Sequence, residues 1–156
     1  KQIEKKMNVR LEIDSKEGDV IISGDDSISV FETIDVVKAI GRGFNPKVAE
    51  LLFKEGYTFN LMNIQDFVGR SKKDVMRMKG RVIGREGKSR SVIEHATDTS
   101  IVVYGKTIGI IGKLENVSIA RQALEMLLEG SPHGNVFKWL DLKKKDLIRR
   151  EFEENL

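Results

Sequence analysis

The chain has 156 residues, of which 40% are hydrophobic, 33% are charged and only 2 are Pro, so it belongs with globular chains and not with disordered or collagen-like ones. It contains no Cys and only 2 His, which excludes disulfides, zinc ribbons and cysteine nucleophiles and leaves too few imidazoles for a histidine metal cage; no cofactor is expected. The net charge is +3, yet residues 70–90 hold 9 basic and 2 acidic residues while the segments on either side are slightly negative. Such a local excess is the electrostatic footprint of a polyanion site, although a solvated helix face has the same composition. No apolar run reaches the roughly 18 residues of a membrane span. The N-terminal KQIEKKMNV lacks a signal pattern, so no membrane partner and a cytoplasmic location are expected.

In chain order, residues 1–7 read as the end of a helix. VRLEID (9–14) then alternates Val9, Leu11 and Ile13 inward with Arg10 and Glu12 outward, as a half-buried strand does. DVIISG (19–24) is a second strand, and residues 28–40 place Ile28, Phe31, Ile34 and Val37 as the buried stripe of a helix. Asn45 and Pro46 start a connecting helix that turns Val48, Leu51 and Leu52 inward and stops at Gly56. YTFNLMNI (57–64) alternates as a strand. Ser71 and Asp74 open a helix carrying Val75, Met78 and Val82, which Gly84 and Gly87 interrupt before helical periodicity resumes over 88–97. Two β-branched strands follow at 100–105 and 107–112. A long helix begins near Glu115 and ends at Gly130, and a last helix at 135–154 exposes many charges while packing Phe137, Leu140, Leu147 and Phe152 on one face.

Laying residue 3 on residue 93 aligns IEKKMNVRLEI with IEHATDTSIVV, and each copy continues through a glycine turn, a second strand closed by Gly24 or Gly112, and a long helix. Two copies of one α+β module are therefore expected: a partial first copy at 1–44, a connecting helix at 45–56, a full copy at 57–130 and a basic C-terminal helix at 131–156. The chain opens inside a helix and the first copy lacks the counterpart of everything before it, so the expectation is a first module truncated at its N-terminus.

The segment RVIGREGKSRSVIEHATDTSIVV (81–103) is the most specific part of the sequence. Gly84-Arg85-Glu86-Gly87 lies between two helices, where glycines let the backbone approach an anion and the following helix offers unpaired N–H groups. An ordinary helix–helix corner also favours glycine. GREGKS lacks the first glycine of a nucleotide-binding P-loop, since that position is Val82, and it follows a helix instead of a strand.

The spacing Val82-Ile83-Gly84-x-x-Gly87, then Ile93, Thr97 and Ile101, resembles the KH domain, a single-stranded nucleic-acid-binding module. The element order over 57–130 is similar to the type I KH fold, a three-stranded sheet backed by three helices. Arg90 stands where most KH domains carry an aliphatic residue. The whole chain is similar to archaeal KH-domain ribosome assembly factors known as partner-of-NOB proteins. That resemblance implies binding to single-stranded RNA at the 3′ end of small-subunit rRNA, in a pre-ribosomal particle. It also implies a protein partner such as the 3′-end endonuclease or a translation initiation factor.

On this reading RNA phosphates pass over Gly84, Arg85, Glu86 and Gly87, held by backbone N–H groups and by Arg81, Arg85, Lys88 and Arg90, with Ser91 beside them. Bases lie in an apolar groove floored by Ile83, Ile93 and the strand Ile101, Val102 and Val103, whose backbone edge reads Watson–Crick groups. Ile83, Ile93 and Ile101 suit a partly core position better than a fully open one, as apolar residues on an amphipathic face do. His95 reads as an ordinary polar helix residue, Met76 and Met78 as helix fillers, and Trp139 as a core cover. Lys143, Lys144, Lys145, Arg149 and Arg150 suit either a second phosphate contact or a solvated face. A protein scaffold docking through the acidic first copy is the alternative function. An RNA-processing enzyme lacks support, because no clustered carboxylates or His–acid pair stand at catalytic spacing. The residues leave the choice between RNA and single-stranded DNA open.

Overall fold

The computed structural model describes residues 1–156. Helix α1 (Gln2–Met7) leads into the antiparallel hairpin of β1 (Val9–Asp14) and β2 (Asp19–Gly24), followed by α2 (Ser27–Gly41). Asp26 caps α2, its carboxylate accepting from the Ser29 hydroxyl at 2.7 Å and the Ile28 N–H at 3.2 Å. These two donors hold its carboxyl below the usual carboxylate range. The connection expected as one helix is a single α turn, α3 (Pro46–Ala49), capped by Asn45 and continued as a 3₁₀ turn over Glu50–Phe53. The second part contains β3 (Tyr57–Asn63), a short α4 (Gln65–Val68) that the sequence reading missed, and α5 (Lys72–Ile83). It continues with α6 (Lys88–Thr97), β4 (Ser100–Tyr104), β5 (Thr107–Lys113), α7 (Leu114–Leu128) and α8 (His133–Glu154).

Strands β3, β5 and β4 form one sheet in that order, both pairs antiparallel, so β5 is central and the outer edges of β3 and β4 have no strand partner. Strand alternation splits the sheet between two cores. Ile108 and Ile110 on β5, Ile101 on β4 and Met62 on β3 join Val75, Met78, Val82, Ile93, Leu124 and Leu127 in the main core beneath α5, α6 and α7. Ile111 faces the other way and meets Val36, Ala39, Phe44 and Ala49, with Phe59 and Val102 packed beside them. That double burial explains why TIGIIG reads as an unbroken apolar run instead of an alternating one. Phe44 makes an edge-to-face contact with Phe59, ring centroids 5.9 Å apart, and a Cβ added at Gly109 would lie 2.6 Å from its Cε2 atom. The glycine lets the chain cross the sheet in direct contact with its backbone. Phe44→Ala is expected to cost about 3–5 kcal/mol of stability, read as a lowered midpoint in denaturant unfolding.

Three sequence expectations about packing are corrected. The buried residues of α2 are Thr33, Val36 and Ala39, whereas Ile28 and Phe31 of the expected stripe are 67% and 73% exposed. Both stripes have helical spacing, and the side with small residues is the one that lies close to Phe44 and the α3 turn. Ile13 is also exposed, because the β1–β2 hairpin packs on its neighbours only through Val9 and, in part, Leu11 and Ile22. Phe152 is exposed near the end of α8, which packs against α6 and α7 and buries Val136, Leu140 and Leu147. Trp139 covers the main core as expected.

One local device occurs twice. Asn8 and Asp98 end α1 and α6 in the left-handed region, at φ 51° and φ 49°. Glu4 accepts from the Leu11 N–H at 3.0 Å, and Glu94 accepts from the Ile101 N–H at 3.0 Å, each carboxylate tying a helix to the strand that follows it. Helices α2 and α7, which close the two segments, are both 15 residues long.

Candidate nucleic-acid interface

Helix α5 begins at Ser71, whose hydroxyl accepts from the Asp74 N–H at 3.5 Å, and stops at Gly84, where φ is 74° and ψ 173°. Arg85–Gly87 form a 3₁₀ turn with Glu86 at φ 55° and Gly87 at φ 74°, so three of the four loop residues occupy the positive-φ region. Helix α6 then starts at Lys88 without a side-chain cap. Its first-turn N–H groups and the positive end of its dipole lie at the loop, the arrangement that suits an anion.

The two glycines do different work. A Cβ at Gly84 would collide with Ser89, lying 2.7 Å from its backbone N and 2.8 Å from its Cβ, and nearer still to Oγ. Ser89 is itself buried, so it has no room to withdraw. Nothing lies within 4 Å of a Cβ at Gly87, where only the left-handed backbone asks for glycine and the surrounding space is open to an approaching ligand.

The cations of residues 70–90 divide sharply. Arg77 pairs with Asp74 at 3.5 Å and Arg90 with Glu94 at 3.5 Å. Arg81 turns away from the loop, its guanidinium donating to the Leu127 carbonyl at 3.1 Å and to that of Ser131. The expected grouping of Arg81 with the phosphate-facing cations is therefore corrected. Arg85 and Lys88 are exposed, form no ion pair and flank the turn. The Arg90 Nε sits close to the Glu94 carboxylate but outside hydrogen-bond geometry, which leaves that N–H without an acceptor one turn into α6. Glu86 is exposed beside Arg85, and half-buried Ser91 spends its carbonyl on the His95 Nδ1 at 2.8 Å. That bond supports His95 as a local helix residue, and no cluster of His, Cys, Asp or Glu has metal-binding geometry.

Beyond the loop, half-buried Ile83 ends α5, and half-buried Val102 and Val103 lie on β4, whose outer edge has no strand partner; Val103 packs on the main core and Val102 on the opposite face of the sheet, beside Phe44. Ile93 and Ile101 are 0% and 2% exposed, so they support this surface from the core and present no side-chain surface of their own. Their expected place on a groove floor is corrected accordingly. Burying each contributes roughly 1.5–3 kcal/mol to the stability of the helix–strand frame. No helix is long and apolar enough to cross a membrane.

Residues 58–145 match the family model of the second KH domain of PNO1, a eukaryotic-type KH domain (KH-domain type I). This chain belongs to the PNO1 family of KH-domain proteins. The KH domain-containing protein MJ0443 of Methanocaldococcus jannaschii is 43% identical over 98% of this chain and 68% of its own length. The pre-rRNA-processing protein PNO1 of Coccidioides immitis is 32% identical over 85% of this chain and 53% of its own length. The chain thus spans about two-thirds of the first protein and about half of the second. A chain of the a/eIF2alpha–aDim2p–rRNA complex from Pyrococcus horikoshii superposes with a TM-score of 0.85 at 40% identity, over 93% of this chain and 81% of that one. The type I arrangement of a three-stranded sheet backed by helices agrees with the fold expected for residues 57–130.

Proposed function

We propose that this chain is a single-stranded RNA-binding factor of small-subunit ribosome assembly and pre-rRNA processing, with the 3′ region of small-subunit rRNA as its target. The observation that carries the reading is the Gly84–Gly87 turn, open above Gly87 and flanked by the unpaired cations Arg85 and Lys88 at an uncapped helix N-terminus. Phosphates lie over the turn and bases lie against Ile83, Val103 and the backbone edge of β4 at Val102, with Arg90 and Ser91 close by on α6. Family membership supports this role, as does a relative solved together with rRNA and a/eIF2alpha. Its partners are a pre-ribosomal particle, a translation initiation factor subunit and the endonuclease of the rRNA 3′ end. The role is one of binding in the cytoplasm, not of catalysis.

The domain reading belongs to the same proposal. Residues 1–44 are a partial KH-like module, 45–56 the connection, 57–130 a full KH module and 131–156 a C-terminal helix. The paired Glu4–Leu11 and Glu94–Ile101 bonds, the matching left-handed caps and the equal lengths of α2 and α7 support a duplicated unit.

Fluorescence anisotropy tests the reading, with a short RNA of the small-subunit rRNA 3′ end set against a scrambled RNA and the DNA version. The matched RNA is expected to bind most tightly. With two phosphate-facing cations, log affinity should fall against log salt with a slope of about −1.4. Equal binding of all three probes that vanishes with salt would reduce the site to a basic patch.

A further inference from the structure

We infer that Arg81 and His133 are positioning residues that brace the Gly84–Gly87 turn from the junction between α7 and α8, so that RNA affinity depends on a contact made 52 residues downstream of Arg81. The inference rests on the proposed RNA site and adds to it a control point outside residues 81–103.

The end of α5 is held on both sides of one residue. The Arg81 side chain donates from Nε to the Leu127 carbonyl at 3.1 Å and from its terminal nitrogen to the Ser131 carbonyl. These acceptors belong to the last turn of α7 and the segment leaving it: the Ser131 carbonyl has no backbone donor, and the Leu127 carbonyl also accepts from the Gly130 N–H at 3.2 Å. The Arg81 carbonyl, one of the unpaired carbonyls at the end of α5, accepts in turn from the His133 Nε2 at 2.9 Å. A carbonyl only accepts, so Nε2 carries the proton. Each helix end therefore satisfies the other, through side chains far apart in sequence.

His133 is well placed to be rigid. It is the first residue of α8, follows Pro132 with φ at −57°, and sets its ring edge-to-face on Phe137 at 6.0 Å. Phe137 packs on the main core. The next residues after Arg81 are Val82, fully buried, and Ile83, after which Gly84 begins the loop. A shift of the Arg81 carbonyl therefore passes to Gly84 through two residues with little freedom. Gly84 donates its N–H to the Gly80 carbonyl at 2.8 Å and Gly87 donates to that of Gly84 at 3.2 Å, and these two bonds define the turn that the phosphates would meet. Holding them in advance lowers the ordering cost of binding.

The test compares His133→Ala, which removes the donor, with His133→Gln, which keeps an N–H at similar reach. Two readouts are taken: NMR amide exchange of Gly84 and Gly87, and anisotropy with the rRNA 3′-end RNA. Arg85→Asp/Glu86→Asp serves as the loop control. His133→Ala is expected to speed exchange at both glycines and weaken RNA binding about fivefold to tenfold, the scale of one lost hydrogen bond, while His133→Gln restores both. Unchanged exchange in His133→Ala, or no recovery with Gln, overturns the brace. Faster exchange with unchanged RNA affinity overturns the link to binding. In that case an inactive loop control keeps the RNA site at the turn, whereas an active one removes the site as well.

Discussion

Replacing Arg85 and Glu86 together with Asp is expected to lower affinity for single-stranded RNA by roughly a hundredfold or more while leaving the fold intact. Both side chains are exposed, and neither makes a hydrogen bond or ion pair within the chain, so nothing in the folded state depends on them. Glu86 sits at φ 55°, a region that Asp tolerates well. The change removes a cation at the turn and places an anion where a phosphate would lie. The loss of a charge-assisted contact and the added repulsion act in the same direction, each worth about 1.5–3 kcal/mol. The salt slope should also become shallower by about 0.7, the share of one phosphate neutralised on a single strand. Circular dichroism and the thermal midpoint should match the parent. Retained RNA affinity in a folded double variant would move the site away from this loop.

Gly84→Ala and Gly87→Ala should separate steeply, although the two residues look alike in the sequence. At Gly84 the methyl group meets the backbone and side chain of buried Ser89 at 2.7 and 2.8 Å, and the backbone at φ 74° disfavours any L side chain. With ψ at 173° this backbone is essentially open to glycine alone and costs roughly 1–3 kcal/mol for another residue, and the overpacking roughly 1–3, giving a total of about 3 kcal/mol. For a chain of this size that corresponds to a fall of roughly 6–12 °C in thermal midpoint. At Gly87 the backbone is in the ordinary left-handed helical region, φ 74° and ψ 13°, and its Cβ would enter open space, so about 1 kcal/mol is expected. Calorimetry of the two variants checks the contrast. Comparable destabilisation would mean that Ser89 yields, and that the first glycine is set by the backbone alone.

Much of the frame was legible because the residues that announce it act locally. Ser71 and Asp74 at the start of α5, Asn45 and Pro46 at α3, and the helix-breaking Gly84 and Gly87 all work through neighbours within a few positions, and the chain starts or stops its helices there as read. The KH pattern was legible for a related reason, since its spacing ties one loop to two helices and a strand within about two dozen residues. The buried face of α2 was not legible. Ile28, Phe31, Ile34 and Val37 form as good a stripe as Thr33, Val36 and Ala39, and the choice fell to whichever face the Phe44 connection needed. Arg81 was misassigned because its basic charge beside the loop says nothing of the Leu127 and Ser131 carbonyls 46 and 50 residues away. No signal within the segment could have found His133.

By itself the sequence determined the α+β element order apart from the short α4, the helix–turn–helix loop with its uncapped second helix, and the concentration of positive charge at residues 70–90. These follow from periodicity, capping and dihedral preference, which are properties of neighbours along the chain. Only the tertiary structure decided which cations remain free, which isoleucines are core, and that the sheet is covered on both faces. Those outcomes depend on which groups meet across long sequence separations. A guanidinium takes the helix-end carbonyls within its reach, and an apolar strand sinks to the depth that its partners on both sides allow.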